Sequence, residues 1–117
     1  MMTIRECYDK MGSDFDAVLG RLYSEALISK FAVRFLDDPS FGELTSAHAE
    51  GRVQDAFRAA HTLKGVCLNL GFDRLYEVSS ALTEMLRSGV MDGSDDMLRQ
   101  VEERYNQTVA VLREFKG

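Results

Sequence analysis

Apolar residues recur three and four positions apart along most of the chain, with polar residues between them. This spacing is typical of amphipathic helices, and no segment shows the strict alternation of a half-buried strand. After residue 51 the spacing predicts three helices, at Arg52–Leu70, Phe72–Ser88 and Asp95–Lys116, and Gly71 is placed to end the first of them. The expected buried seams are Val53, Ala56, Ala60, Leu63, Cys67 and Leu70; then Leu75, Val78, Ser79, Leu82, Met85 and Leu86; then Leu98, Val101, Tyr105, Thr108, Leu112 and Phe115.

The first half of the chain is less regular. A capping pair at Ser13 and Asp16, followed by an apolar stripe, predicts one long or kinked helix over about residues 14–36, with Gly20 as the candidate break. An Asp-Asp-Pro run ends it, and a second capping box at Ser40 and Glu43 predicts a shorter helix to about residue 50. The apolar positions are Phe15, Val18, Leu19, Leu22, Leu27, Phe31, Phe35, Leu36, Leu44, Ala47 and Ala49.

These segments predict an all-α protein: an antiparallel four-helix bundle with additional short N-terminal helical elements. Short loops between amphipathic helices favour antiparallel neighbours. A length of 117 residues suits one domain. We expect that domain to span residues 1–117, with its core at about 14–116 and an N-terminal segment at 1–13.

Charge and composition narrow the classes of function. Fourteen basic against nineteen acidic residues give a net charge of −5, which argues against nucleic-acid and membrane partners, because those require a basic patch. The apolar runs are too short to cross a bilayer, and the start of the chain has no signal-peptide layout. Cys7 and Cys67 cannot form a disulfide framework, so we expect a cytoplasmic setting, with Cys67 a small buried hydrophobe and Cys7 without an assigned role.

The candidate chemistry lies in the helix predicted at Arg52–Leu70. His61 falls away from the apolar seam and is expected to face solvent. Gly65 follows one turn later, mid-helix, where glycine costs about 1 kcal/mol relative to alanine. Lys64 and Arg58 place positive charge near the histidine. Together they predict an exposed imidazole with clearance beside it and cations within reach of an anion.

Two apolar residues, Phe57 and Leu68, lie beside His61 where a helix would be at least partly exposed. They predict a docking surface, although packing under a neighbouring helix explains them equally well. A neutral imidazole is a competent nucleophile near neutral pH, and a phosphoryl group that it accepted would need nearby cations. His48 is expected only to contact the dipole at the end of its own helix. No spacing of histidines and cysteines predicts a metal site.

The run from Ala60 to Gly71, AHTLKGVCLNLG, resembles the signature of histidine-containing phosphotransfer (HPt) domains. The resemblance covers about residues 14–115. Asn69 is similar to the residue often found in bacterial members, whereas Leu68 replaces the alanine or glycine that many members carry. The matching positions are His61, Leu63, Lys64, Gly65 and Gly71.

The resemblance implies a phosphoryl carrier that is not itself an enzyme and holds no cofactor. His61 would be the phosphorylation site, supported by Lys64 and Gly65. Arg58 is a further candidate for supporting the phosphate, from its position on the helix alone. Its implied partners are response-regulator receiver domains, which supply an acidic pocket and Mg²⁺, or hybrid sensor histidine kinases. The chain is expected to act as a monomer. Two alternatives stay open: a helical adaptor that binds a receiver domain or another signalling partner without phosphorylation, and a structural bundle without a partner.

Overall fold

A computed structural model describes all residues from Met1 to Gly117, and every regular element in it is helical. None of the helices is long and apolar enough to span a membrane. A short 3₁₀ turn, Phe35–Asp37, separates the third and fourth α-helices. The α-helices are α1 (Ile4–Lys10), α2 (Phe15–Leu22), α3 (Glu25–Arg34), α4 (Ser40–Ala49), α5 (Val53–Leu70), α6 (Asp73–Arg87) and α7 (Asp95–Lys116).

Helices α4 to α7 form an antiparallel four-helix bundle in which each helix packs against the next along the chain. Side chains also join its first and last members, α4 and α7. The Phe41 and Tyr105 rings stack with their centroids 4.0 Å apart. Near the other end of α4, His48 Nε2 lies 2.8 Å from Ser94 Oγ. The predicted fold, an all-α bundle with short N-terminal helices, is confirmed.

The N-terminal helices α1 and α2 secure the C-terminal end of α5. The Tyr8 hydroxyl donates to the Leu70 carbonyl over 2.6 Å, and the Arg21 guanidinium donates to the Leu68 carbonyl over 3.1 Å. Carbonyls in the last turn of a helix have no partner within it, so these two bonds complete the end of α5. Tyr8 is fully buried, and this burial raises the pKa of its hydroxyl well above the ordinary value.

Gly71 ends α5 as predicted, with a left-handed φ of 71°. Two observations require glycine there. A side chain at this φ is strained, and a Cβ would overlap the side chain of Val18 on α2. Gly71 therefore sets both the turn into α6 and the close approach of α2.

The prediction of one long or kinked helix over residues 14–36 is wrong, because the chain forms two helices there, α2 and α3. Gly20 lies inside α2, and the break falls at Tyr23, whose φ of 61° is left-handed. Ser24 then starts α3 by accepting a hydrogen bond from the Leu27 backbone N–H over 3.1 Å. A glycine weakens a helix by only about 1 kcal/mol, whereas a capping serine defines a new helix start.

The prediction of a capping pair at Ser13 and Asp16 is also wrong. Asp14 caps α2, and its carboxylate accepts from the Ala17 N–H over 3.2 Å. Ser13 is buried instead, where its hydroxyl oxygen accepts from the Asp73 N–H at the start of α6 over 3.4 Å. Ser13, the residue expected to cap α2, therefore links the start of α2 to α6 instead.

The second capping box, at Ser40 and Glu43, does not form either. Ser40 is the first residue of α4, and the Asp38 carboxylate accepts from its N–H over 2.9 Å. A complete capping box lies in a segment for which the sequence predicted no element. Thr3 and Glu6 cap each other's N–H groups at the start of α1, over 3.1 and 3.0 Å.

The predicted seams are largely buried, with a few differences. Val53 at the start of α5 is only half-buried, and Ala49 at the end of α4 is exposed. In α6, Met85 is 38% exposed, and Thr83 takes the core position beside it. A helix that buries Thr83 must satisfy its hydroxyl, which donates to the Ser79 carbonyl over 2.7 Å.

Candidate functional site

His61 lies in the middle of α5, on the face that points away from the bundle. It is exposed, whereas its neighbours Ala60 and Leu63 are fully buried, as the helical spacing predicts. The hydrogen bonds and ion pairs within the protein include no atom of its imidazole; the histidine that they do include is His48. Both ring nitrogens of His61 are therefore free to react with a group from outside.

The imidazole of His61 stacks on a phenyl ring. The Phe57 and His61 rings are nearly parallel, 5° apart, with their centroids separated by 5.9 Å. The Arg87 guanidinium, from α6, also lies over the Phe57 ring, with its Cζ 5.2 Å from the ring centroid. Phe57 is half-buried, so it joins the histidine to the neighbouring helix as well as adding apolar surface.

The carboxylate of Glu84, also on α6, lies beside Arg87. Glu84 accepts two hydrogen bonds from the Arg87 guanidinium, at 3.0 and 3.1 Å. These bonds are the main reason that the pKa of Glu84 is lowered, and the charge of Lys64 contributes to the same shift. Lys64 is half-buried and takes part in no ion pair of its own. An arriving anion would therefore meet an ammonium group that no carboxylate has already paired.

The space beside His61 is open at Gly65, one turn further along α5. A Cβ added to Gly65 would have no neighbouring atom within 4 Å. With about 100° per residue, the two positions differ by only about 40° around the helix axis. The glycine therefore leaves clearance on the solvent side of the imidazole, and packing within the protein does not require it.

The remaining predicted site residues, Leu68 and Arg58, are both exposed, but only one of them is free of a partner within the protein. Leu68 is 53% exposed, an apolar residue two turns after the histidine. Arg58 is exposed but turned towards Asp55, with Nη2 and Oδ1 3.3 Å apart. The structure thus places Lys64, Gly65 and Leu68 on the same face of α5 as His61, one to two turns away, and directs the charge of Arg58 towards Asp55.

His48 differs from His61 in both its exposure and its hydrogen bonding. Its side chain is 9% exposed, and Nε2 lies 2.8 Å from Ser94 Oγ and 3.6 Å from Asp95 Oδ1. The Ser94 hydroxyl donates its one proton to the Met91 carbonyl over 2.6 Å, so its oxygen accepts from a protonated Nε2. His48 therefore fastens the end of α4 to the start of α7, beyond the helix-end contact that its position predicts.

Both cysteines are free and fully buried. Burial raises the pKa of the Cys7 thiol to about 11 and that of Cys67 further still. Such thiols stay protonated and packed, in agreement with the core position predicted for Cys67. No group of three or more histidine, cysteine, aspartate or glutamate side chains is placed to hold a metal ion.

Sequence reasoning missed Arg87 and Glu84, the two α6 residues that reach the site. Both lie more than twenty positions after His61, and nothing in their local pattern distinguishes them from an ordinary exposed pair on a helix. An arginine three residues after a glutamate on one helix face is a common surface arrangement. Only the packing of α6 against α5 shows that this pair is adjacent to Phe57.

The model of the Hpt domain family matches residues 32–111 of the chain, more than half of its length. The chain belongs to this family, and the resemblance drawn from the motif around His61 is confirmed. The family's function is histidine phosphotransfer in phosphorelays, in which its members interact with receiver domains or kinases. The comparisons with curated proteins and with solved structures gave no match.

Proposed function

We propose that this protein is a phosphorelay carrier in which His61 accepts a phosphoryl group from a receiver-domain aspartate and donates it back to one. The observation that carries the proposal is the state of the His61 imidazole. It is exposed at mid-helix and free of hydrogen bonds, whereas His48 is partly buried and hydrogen-bonded. A histidine kept only for packing would resemble His48.

The transfer itself is a displacement at phosphorus. A neutral imidazole nitrogen of His61 attacks the phosphoryl group of the partner's aspartyl phosphate and forms an N–P bond, while the acyl P–O bond breaks and its electrons return to the aspartate carboxylate. The N–H on the other ring nitrogen then balances the charge by releasing its proton to solvent. The partner supplies the acidic pocket and the metal ion, and this chain supplies the nucleophile.

Three neighbours support His61 in this role. Lys64 offers an unpaired ammonium group to a phosphoryl group that carries about two negative charges near neutral pH. Gly65 leaves the clearance that the phosphoryl group and its donor require. Arg58 contributes charge only if it leaves Asp55, whose carboxylate is 3.3 Å away.

Phe57 and Leu68 are proposed to form the centre of the docking surface. Leu68 is 53% exposed and therefore leaves apolar area for a partner. Phe57 has a second task, because its ring stacks on the imidazole and limits the orientations that His61 can take. The carrier is proposed to work as a monomer, as one domain over residues 1–117, in the cytoplasm.

The test is phosphoryl transfer from a ³²P-labelled receiver domain to the purified protein. His61→Gln is compared with the matched control His48→Gln, which removes the protein's other histidine. We expect label on the wild type and on His48→Gln, none on His61→Gln, and loss of the label in acid, because a phosphoramidate bond is acid-labile. Because His48 joins α4 to Ser94 at the start of α7, circular dichroism must first show that His48→Gln is folded.

Label on His61→Gln would refute the assignment of the phosphorylated residue. A wild type that binds receivers with measurable affinity but never acquires label would favour the adaptor alternative. As an independent check, small-molecule phosphoramidate transfers its phosphoryl group directly to reactive histidines, with ammonia as the leaving group. Labelling by this donor tests the nucleophile without requiring the correct protein partner.

A further inference from the structure

A cavity of about 310 Å³ lies between α1, α6 and α7. No residue of α5 lines it, so it is separate from the face that carries His61. Three of its side chains are basic: Lys10 from α1, Arg74 from α6 and Arg104 from α7. No carboxylate belongs to the lining, although the whole chain carries a net charge of −5. Positive charge is therefore concentrated here against the balance of the chain.

Two of these three cations have no acidic partner. The Arg74 guanidinium takes part in no ion pair or hydrogen bond within the protein, and the Arg104 guanidinium donates only to the Gln107 amide oxygen, over 3.1 Å. Lys10 is different, because the Glu114 carboxylate lies 2.8 Å from its Nζ. A guanidinium group is a planar fork of N–H donors that suits the oxygens of a carboxylate or a phosphate. The cavity thus offers two such forks to an anion.

Gly12 sets the place of the Arg74 guanidinium. Its φ of 71° is left-handed, and a Cβ added to it would overlap the end of the Arg74 side chain. The guanidinium therefore occupies the space that a side chain at position 12 would fill. Gly51 has nearly the same φ, 72°, but an added Cβ there has no atom within 4 Å. The close contact at Gly12 is thus a feature of this cavity, and the left-handed turn alone does not produce it.

The rest of the lining adds a hydrogen-bond donor and an apolar wall. Because Gln107 accepts from Arg104 through Oε1, its Nε2 group remains free to donate to a ligand. Met11 is buried and Val111 is half-buried, and both line the cavity. Cavities that bind small molecules measure about 300–1,000 Å³. This one therefore has room for a compact ligand with an anionic group and a small apolar part.

We propose that this cavity binds a small organic phosphate. A phosphate monoester carries about two negative charges near neutral pH and has three acceptor oxygens, which match two free guanidinium groups and the amide of Gln107. The organic part would contact Met11 and Val111. The ligand would also join α1 to α6 and α7, and α1 carries Tyr8, whose hydroxyl bonds the end of α5.

The test is an NMR titration of the full chain with phenyl phosphate, followed by ¹H–¹⁵N correlation spectra. We expect saturable shifts of the amides near residues 10–12, 74 and 104–111, and of the Nε–H signals of Arg74 and Arg104. The melting temperature should rise with the concentration of phenyl phosphate, because a ligand that binds only the folded protein stabilises it. Benzoate, which has one charge and two oxygens, should bind several-fold more weakly.

Two pairs of variants separate a site from a general effect of charge or strain. Arg74→Gln and Arg104→Gln should each raise the Kd of phenyl phosphate about tenfold, since each removes a charge-assisted hydrogen bond. Arg113→Gln removes the same charge from α7 outside the lining, and it should leave the Kd within twofold. Gly12→Ala displaces the flexible end of Arg74, whereas Gly51→Ala introduces the same left-handed strain in open space. Both glycine variants should lose similar stability, and only Gly12→Ala should weaken binding.

Several results would overturn the proposal. A wild type without saturable shifts would refute the site, and shifts confined to residues around His61 and Lys64 would place the phosphate at the candidate phosphorylation site instead. Equal effects of Arg74→Gln and Arg113→Gln would show a general attraction of anions. Benzoate that binds as tightly as phenyl phosphate would refute the class of ligand. Binding is measured without a receiver or phosphoryl transfer, so the result is independent of the function proposed for His61.

Discussion

Replacing Gly65 by alanine should stabilise the protein and at the same time slow phosphoryl transfer to His61. The two effects have opposite signs because they arise from different surroundings. Within the protein, a Cβ at this position has open space, with no atom within 4 Å. On the solvent side, the same methyl group lies one turn from the imidazole, at the place where a donor must approach.

The gain in stability follows from helix propensity. Alanine is favoured over glycine inside a helix by about 0.5–1 kcal/mol, and nothing at position 65 opposes this preference. An unfolding entropy of about 2.1 cal/mol/K per residue gives roughly 0.25 kcal/mol/K for this chain, so Tm should rise by about 2–4 °C. Differential scanning calorimetry measures that shift directly.

The loss of function follows from geometry. Side chains four residues apart on a helix have their Cβ atoms about 6 Å apart, so the alanine methyl group occupies the clearance beside the His61 ring. We expect kcat/KM for transfer from a phosphorylated receiver to fall tenfold or more. Labelling by phosphoramidate, a much smaller donor, should fall less, because it needs less space.

Gly20→Ala provides the matched control. Gly20 also lies inside a helix with no atom within 4 Å of an added Cβ, but that helix is α2 and not the helix that carries His61. It should raise Tm by a similar amount and leave transfer unchanged. A Gly65→Ala variant that is more stable and transfers at the wild-type rate would show that the clearance beside His61 is not needed. A destabilised variant would refute the packing argument.

Three further predictions concern the contacts around the site and the core. Tyr8→Phe removes a buried 2.6 Å hydrogen bond and should cost about 1–3 kcal/mol in urea unfolding, whereas Tyr23→Phe, at an exposed ring, should cost nothing measurable; equal costs would contradict the role of the bond. The free energy of unfolding should fall as pH rises above about 8.5, because burial raises the pKa of both Cys7 and Cys67 and the unfolded chain loses these protons first; Cys67→Ala should make this slope shallower without abolishing it, and an unchanged slope would exclude the Cys67 thiol as a cause. Phe57→Leu keeps an apolar surface but removes the ring stacked on His61, so kcat for transfer should fall more than KM rises, and the reverse pattern would show that Phe57 acts only in docking.

The second half of the fold could be predicted closely from the sequence. The expected start of α7, Asp95, and its end, Lys116, agree with the structure. The end of α5 also agrees, and its start and both ends of α6 differ by one residue. Their apolar spacing is regular, and Gly71 marks a boundary that only one residue type fits well. Local signals of this kind need no knowledge of tertiary contacts.

The first half could not be predicted as well, because its helices are short and held by distant partners. The break at Tyr23 is a left-handed turn at a residue with no special preference for it, whereas Gly20, the expected break, is helical. The capping box of Thr3 and Glu6 was a local signal for α1 that could have been used. The hydrogen bond from Tyr8 to a carbonyl sixty-two residues away has no local signal.

The candidate site shows the same division. The exposure of His61 and the free space at Gly65 follow from helical geometry and motif position, and both agree with the structure. The approach of Arg87 to Phe57 depends on how α6 packs against α5, which the pattern of a single helix does not contain. Arg58 differs for a similar reason, since the nearby Asp55 attracts its charge.

The hydrogen bonds from α1 and α2 to the end of α5 show that the segment matched by the family model is shorter than the segment that must fold together. The family match begins at residue 32, yet seven of the twenty-four core residues precede it: Ile4, Cys7, Tyr8, Met11, Phe15, Val18 and Ile28. A chain shortened to residues 32–111 would expose Phe72 and leave the last carbonyls of α5 to water. The segment that folds cooperatively is thus longer than the segment that the family model matches. The first thirty residues belong to it, because they stabilise the end of the helix that carries His61.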